Sequence, residues 1–261
     1  MKKILIISQY FYPEVFRGND IAFHWAEQGH DVHVVAGVPN YPEGAFHEGY
    51  GWFKNRHEVV RGVKVTRLPI IPRGKNKLML MLNYFSYYLV ACCYILFHAM
   101  RNKYDVVFCQ QLSPVMMSAP AVLYKRLRKV PLVTWVLDLW PESLSAAGGL
   151  NNKYVLGFFS HWVKLEYKYS DKILISSRGF EESILKYGDY KDKIIYYPQW
   201  SDGPGVRDSK LELSDILQKQ GIDASRVFDD NSFKVMFAGA VGEAHGMECL
   251  LINSFCLTVS S

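Results

Sequence analysis

The chain has 261 residues, is 49% hydrophobic and 21% charged, and carries a formal net charge of +5. That balance excludes a disordered chain and allows one large domain or one and a fraction, at roughly 100–200 residues each. The small, diffuse excess of cations suits an anionic small ligand or an anionic membrane surface and argues against nucleic acid, which needs a concentrated basic patch.

The N-terminus, MKKILIISQYFYPE, has an apolar run too short for a signal-peptide core, and it predicts a first strand over 4–8. A helix over 20–28 follows, with Gly29 where a glycine ends a helix. Strands are predicted over 31–36 and 63–68. Residues 77–100, KLMLMLNYFSYYLVACCYILFHAM, form a long apolar stretch flanked by Arg73, Lys75 and Lys77 before it and Arg101 and Lys103 after it. A short buried strand over 105–109 comes next. Ser113–Pro114 then reads as the cap and first residue of a helix. Further strands are predicted over 131–137, 171–176 and 193–197, with helical patterns at 153–169 and 178–187.

Strands that alternate with helices predict an α/β, Rossmann-like, doubly wound parallel sheet over residues 1–200. Residues 201–232 open with SDGPG, carry many charges and one short helix pattern over 211–220, and read as an interdomain connection. Residues 233–261 hold one strand and one helix pattern, the start of a second domain that is incomplete in this chain. Right-handed crossovers bring the C-terminal ends of the parallel strands to one edge of the sheet, where ligands bind in such folds. The segments predicted at that edge are 9–19, 37–43, 110–113, 138–142, 176–179 and 198–202.

The stretch over 77–100 would be about 35 Å long as a helix, enough to cross a bilayer. Three readings stand. It is a transmembrane span, a helix buried against the sheet, or a helix partly buried and partly dipped into a membrane interface. Its tyrosines and flanking cations suit the last. Cys92, Cys93, Cys109, Cys249 and Cys256 include no CxxC pair, so buried free thiols in a reducing compartment are expected.

Several absences narrow the chemistry. No GxxxxGK[ST], no GxGxxG after the first strand and no GxSxG occur. No Asp-x-Asp occurs, so a common way of holding a divalent metal beside a sugar nucleotide is missing. His30 and His33 point to opposite faces of a strand and form no metal pair.

Six motifs remain: QYFYPEVFRGND, GVPNYPEG, WVLDLWPES, SDKILISSRGF, YYPQW and FAGAVGEAHGME. Together, over about residues 1–250, they resemble the bacterial glycosyltransferase family 4 enzymes that build surface polysaccharide and O-antigen. The resemblance implies a GT-B fold, two Rossmann-like domains facing a cleft. The N-terminal domain takes the acceptor and the C-terminal one holds the nucleotide sugar. It also implies a retaining transferase that works without a metal cofactor. The partners implied are a nucleotide sugar and a polyprenyl-diphosphate-linked saccharide. The protein would sit in the cytoplasm, peripherally on the inner-membrane surface.

Site residues follow from motif and position. Arg17, Gly18 and Asn19 precede a helix, whose exposed backbone N–H groups can cradle a phosphate. The plainer reading is a helix entry with Asn19 or Asp20 as N-cap. Asn40 and Tyr41 are acceptor candidates, with Tyr41 able to stack on a sugar. Asp138, at a strand end, can orient an acceptor hydroxyl or take its proton; Glu142 is a second carboxylate. Arg178 can reach a phosphate, while Ser177 reads as a helix cap. Gly239 and Gly242, with Glu243 beside them, permit close approach of a diphosphate. The chain departs from the wider family at Leu137, where many members have His, and at Ala240 and His245, where many have Arg and Lys. Two alternatives remain open: a non-catalytic acceptor-domain fragment that binds membrane or a partner chain, and a sugar-nucleotide epimerase of the same fold.

Overall fold

The computed structural model describes residues 1–144 and 152–200. The chain divides into two units, Met1–Gln199 and Trp200–Ser261. The connection and second-domain start read from the sequence, with Gly239, Gly242 and Glu243, lie outside the described residues.

Eight strands form one sheet: β1 (Lys3–Ile7), β2 (Asp31–Gly37), β3 (His57–Val60), β4 (Val63–Leu68), β5 (Val106–Gln111), β6 (Leu132–Val136), β7 (Lys172–Ile175) and β8 (Ile194–Tyr196). Their order is β3-β4-β2-β1-β5-β6-β7-β8. Only the β3–β4 pair is antiparallel. The helices are α1 (Arg17–Glu27), α2 (Lys77–Arg101), α3 (Ala119–Arg128), α4 (Lys153–Tyr169) and α5 (Phe180–Leu185). This is the doubly wound, Rossmann-like sheet expected from the alternation of patterns, the architecture of a GT-B N-terminal half.

The central strands are apolar runs because helices cover both their faces. Leu5, Ile7, Val35, Leu68 and Cys109 pack against Tyr87, Ala91 and Ile95 of α2 and Ala121 and Tyr124 of α3. On the other face Trp25 of α1 meets Phe108 edge-on, with ring centroids 5.2 Å apart. α1 ends as predicted: Gly29 has φ +82, its N–H donates to the Ala26 carbonyl and the His30 N–H to the Trp25 carbonyl.

Four details correct the sequence reading. β3 was not expected. It is a four-residue edge strand whose side chains are exposed or half-buried, so it lacks the apolar signal that marks the others. Its turn, Arg61 (φ 48) and Gly62 (φ +80), puts both central residues at positive φ as a two-residue hairpin requires. Second, α1 starts at Arg17 rather than 20; Phe16 is the N-cap, and no side chain caps the helix. Third, Ser113–Pro114 does not open an α-helix. Pro114 is extended (φ −87, ψ 162) and leads into a 3-10 turn, Val115–Ser118, so α3 begins only at Ala119. Fourth, Gly179 rather than Ser177 caps α5.

α2 connects β4 to β5, which lie in one sheet, so the helix does not carry the chain across a bilayer in this fold. It buries one stripe, Asn83, Tyr87, Ala91, Ile95 and Ala99, at the four-residue spacing of a single helix face. The opposite face stays open and wholly apolar: Leu78, Met81, Phe85, Leu89, Phe97 and Met100 are exposed. The described cysteines are free thiols; Cys109 is buried as expected, Cys92 is half-buried, and Cys93 is exposed on that open face.

Candidate active site

Strand order reverses direction between β1 and β5, so a crevice opens beyond their C-terminal ends. Ser8 Oγ donates to the Tyr10 carbonyl (2.8 Å) and lies 3.1 Å from the Gln110 side-chain amide, joining the two strand ends. Gln110 lies against the start of α1. A Cβ on Gly18 would sit 2.0 Å from Gln110 Oε1, so any larger residue there must displace the Gln110 amide. Gln110 Nε2 and Gln111 Oε1 are buried with no hydrogen-bond partner among the described residues. Buried amides left this way are unusual and mark sites that receive a ligand or water.

Arg17 is paired with Asp20 at 3.4 Å. The Asn19 side chain is committed inward: Oδ1 accepts from the Tyr12 N–H (3.2 Å) and Nδ2 donates to the Glu14 carbonyl (2.7 Å). The helix start therefore presents α1 backbone N–H groups and the Arg17 side chain, with Asn19 as the brace.

Glu14, not singled out from the sequence, ties the first two loops together. Oε1 accepts from the N–H groups of Asn40 (2.9 Å) and Tyr41 (2.8 Å), and Oε2 accepts from that of Phe11 (3.2 Å). Burial pushes its carboxyl up to about 7, against the pull of those three donors and of the Arg67 charge. The Asn40 amide is likewise used within the fold: Oδ1 accepts from the Arg73 N–H (2.9 Å) and from Asn83 Nδ2 (3.3 Å), and Nδ2 donates to the Val38 carbonyl (2.8 Å). Asn83 on α2 also accepts from Gln9 Nε2 (2.7 Å). Tyr41 remains at the surface, 36% exposed. Its ring packs beside those of Tyr10 and Phe16, with the Arg73 guanidinium 5.3 Å from its centroid.

Asp138 follows β6 at the same edge and is half-buried. Ser113 Oγ donates to Asp138 Oδ2 in a short contact, and Trp140 Nε1 donates to Ser113 Oγ at 3.0 Å. The indole thereby fixes which way the serine hydroxyl points, and the serine fixes the carboxylate. Glu142 is not in this group. Its Oε2 is buried without a partner among the described residues, and its charge acts on Tyr167 and Tyr187 in the packed core beneath α4. Arg178 is exposed, with its guanidinium 4.4 Å from the Tyr196 ring centroid.

The sheet edge thus gathers Arg17, Gly18, Tyr41 and Asp138, with Asn19 and Asn40 as braces. Sequence reasoning missed Glu14, Arg73, Gln110 and Ser113. The first two stood inside quoted or flanking segments but announce nothing by residue type, and the last two fall in the 110–113 segment expected at the edge, though their partners show only when β5 is placed beside β1 and β6.

Residues 18–200 match the model of the glycosyl transferase 4-like domain. The chain belongs to that family. The resemblance read from the six motifs is borne out. Among curated proteins, this glycosyl transferase 4-like chain is 24% identical over 257 residues to the glycosyl transferase WcaI of Escherichia coli (strain K12), assigned to colanic acid biosynthesis. That match takes in 94% of this chain and 60% of the relative, so the chain spans about 60% of the relative's length. Among solved structures, it resembles Anabaena Alr3699/HepE in complex with UDP-glucose, at TM-score 0.50 and 13% identity over 85% of this chain and 50% of that one. The same protein with UDP and glucose gives TM-score 0.51 at 14% identity, with the same coverage. At such identity the likeness speaks for the fold.

Proposed function

We propose that this glycosyl transferase 4-like chain provides the acceptor side of a retaining glycosyltransferase. The enzyme moves a hexose or N-acetylhexosamine from a nucleotide sugar to a polyprenyl-diphosphate-linked saccharide during O-antigen, capsule or exopolysaccharide synthesis. The observation that carries this is the placement of Asp138, held by Ser113, on the sheet edge that also bears the uncapped start of α1 and the Tyr41 cluster. Breaking the anomeric C–O bond requires that charge on the departing diphosphate be stabilised, and oriented backbone N–H groups with a cation do this. Arg17 and Gly18 supply them without a metal. Asp138 orients the acceptor hydroxyl and draws on its proton, while Tyr41 stacks on the acceptor sugar.

The test is transfer of a radiolabelled sugar from its nucleotide donor into lipid extract of membranes holding the full chain. Asp138→Asn should lower transfer about 10²-fold with the circular dichroism unchanged. No transfer and no sugar-nucleotide binding by the wild type would reject the enzyme reading in favour of a non-catalytic acceptor-binding chain.

The open apolar face of α2 supports a peripheral seat on the cytoplasmic surface of the inner membrane. It runs between Lys77 and Arg101, with Arg73, Lys75 and Lys103 close by, as an interfacial helix on anionic lipid should. It continues toward exposed Phe158 of α4 by way of Tyr88 and Trp162, whose centroids are 5.8 Å apart. The protein should float with anionic vesicles and be released by alkaline carbonate. The double change Leu89→Glu and Phe97→Glu should abolish flotation. Retention in the carbonate pellet would contradict a peripheral seat.

A further inference from the structure

The loop that presents Asn40 and Tyr41 does not end there. It runs on to form an open aromatic cleft of about 640 Å³, lined by Phe46, Tyr50, Trp52, Phe53, Ile71 and Met79 among others. That volume lies in the range of small-molecule sites. Trp52 is about half exposed and Phe53 is 92% exposed, a large apolar surface to leave in water. The cleft is nonetheless built. Trp52 Nε1 donates to the Ile70 carbonyl at 2.7 Å, the Gly44 N–H to the Asn40 carbonyl at 2.8 Å, and the Gly74 N–H to the Gly44 carbonyl at 2.8 Å. Met79, in its wall, belongs to the first turn of α2, so the cleft adjoins the helix's open apolar face.

Arg73 stands beside the cleft, next in sequence to its lining residue Pro72. Its backbone is pinned to Asn40, and its Nη1 donates to the hydroxyls of Tyr10 (3.2 Å) and Tyr84 (3.3 Å). Its guanidinium is 5.3 Å from the Tyr41 centroid and 5.9 Å from that of Tyr84. All these partners are neutral, and no carboxylate pairs with Arg73 among the described residues. A half-buried guanidinium held by phenols and lacking a counter-ion suits a phosphate, which it can grip with two parallel hydrogen bonds. Lys54, in the cleft lining, and Lys75 and Lys77 beyond Arg73 add to the positive field.

We propose that Arg73 and the adjoining aromatic cleft form one site for the amphiphilic part of the acceptor. Arg73 takes the phosphate next to the saccharide, and the cleft takes the first units of the apolar chain. Arg73 adjoins both parts: its guanidinium is 5.3 Å from the Tyr41 centroid, and Pro72, next to it in the chain, lines the cleft with Phe46, Trp52 and Met79, so a saccharide, an anion and a hydrocarbon each meet a matching surface. The occupant is the acceptor's own lipid rather than a bulk phospholipid, because the cleft walls are a continuation of the loop that carries Tyr41. The inference rests on the lipid-linked acceptor proposed above.

The test is equilibrium dialysis of the full chain against radiolabelled geranylgeranyl diphosphate below its aggregation limit, with inorganic diphosphate and phosphatidylglycerol vesicles as competitors. Wild-type protein should bind the prenyl diphosphate, and Arg73→Gln should weaken it at least tenfold. Gly51 lines the cleft, its φ lies outside the left-handed region, and a Cβ there would meet nothing within 4 Å. Gly51→Phe therefore adds a ring at the cleft wall without backbone strain, and it should weaken the prenyl compound tenfold while leaving inorganic diphosphate unchanged. Wild-type affinity in both variants, or full displacement of the label by phosphatidylglycerol vesicles, would overturn the site. Prenyl diphosphate binding with no sugar transfer would support the site and reject only the transferase reading. Transfer that persists unchanged in both variants would reject the site and leave the transferase reading intact.

Discussion

Replacing Arg67 by alanine should cost about 3–5 kcal/mol of stability, the range for stripping one partner from a buried ion pair. The thermal midpoint should fall by roughly 10 °C for a domain of this size. Arg67 is fully buried on β4, an unusual place for a guanidinium. Its Nε and Nη2 donate to Glu58 Oε1 at 2.9 and 2.6 Å, and Nη2 also donates to the Tyr12 carbonyl in a short contact. Its guanidinium lies 5.9 Å from the Phe11 ring centroid and 5.3 Å from that of Tyr50. Truncation therefore leaves Glu58 without its cation and with the Tyr50 hydroxyl at 3.2 Å as donor, takes a donor from a carbonyl in the first loop and opens a cavity. Nη1 has no hydrogen-bond partner among the described residues, so the desolvation of the cation is not fully offset there. Arg67→Met keeps most of the volume and removes that penalty, and it should recover part of the loss. Urea unfolding of the three proteins tests this. An alanine variant within 1 kcal/mol of wild type would show that Arg67 does not hold the fold. Because Tyr12 and Glu14 share a loop, the alanine variant should also weaken the acceptor binding proposed above.

What the sequence made legible follows from where the physical signal resides. Parallel strands covered on both faces are apolar runs, so β1, β2, β4, β5, β6 and β7 could each be placed within a residue or two, and β8, though at the edge and part-exposed, still carries the apolar run Ile194–Tyr196. β3 could not, since an edge strand with exposed and half-buried side chains carries no such run, and its Arg61–Gly62 turn is not one of the common hairpin pairs. Gly29 was readable because a helix that ends in a left-handed residue wants glycine. The start of α1 was not, because Phe16 occupies the cap and no polar side chain announces it. Asp138 was readable as a carboxylate at a strand end. Its supports were not: Ser113 and Trp140 lie 25 and 27 residues apart from their partners in the chain and meet only through the register of β5 beside β6. Glu142 shows the converse, since two carboxylates four apart in one motif face different surroundings once the turn is formed.

Stability should fall as pH rises from about 5 to 9, and Glu166→Gln should remove most of that fall. Glu166 lies on the inner face of α4, 2% exposed, and neither carboxyl oxygen has a hydrogen-bond partner among the described residues. Burial pushes its carboxyl from 4.5 up to about 8. The nearby Ser118 hydroxyl, which favours the charged form if it donates to the carboxylate, donates instead to the Val115 carbonyl at 2.8 Å. It therefore offers lone pairs, which suit a neutral carboxyl, and the upward direction stands. The Cys109 thiol is held well above its ordinary range by burial first and then by the Glu166 charge. Since the folded state binds this proton more tightly than the unfolded chain, its contribution is fully present below about 4.5 and is lost as pH rises through about 8. At pH 9 the carboxylate must form in an apolar setting, a penalty on the order of 4 kcal/mol. Glutamine has no proton to lose, so Glu166→Gln should match wild type at pH 5 and exceed it by about that amount at pH 9. Glu14, raised to about 7, acts in the same sense and should leave a smaller residual fall in the variant between about 4.5 and 7. Urea unfolding at the two pH values decides it: if the difference between Glu166→Gln and wild type is the same at both, Glu166 does not carry a proton into the folded core.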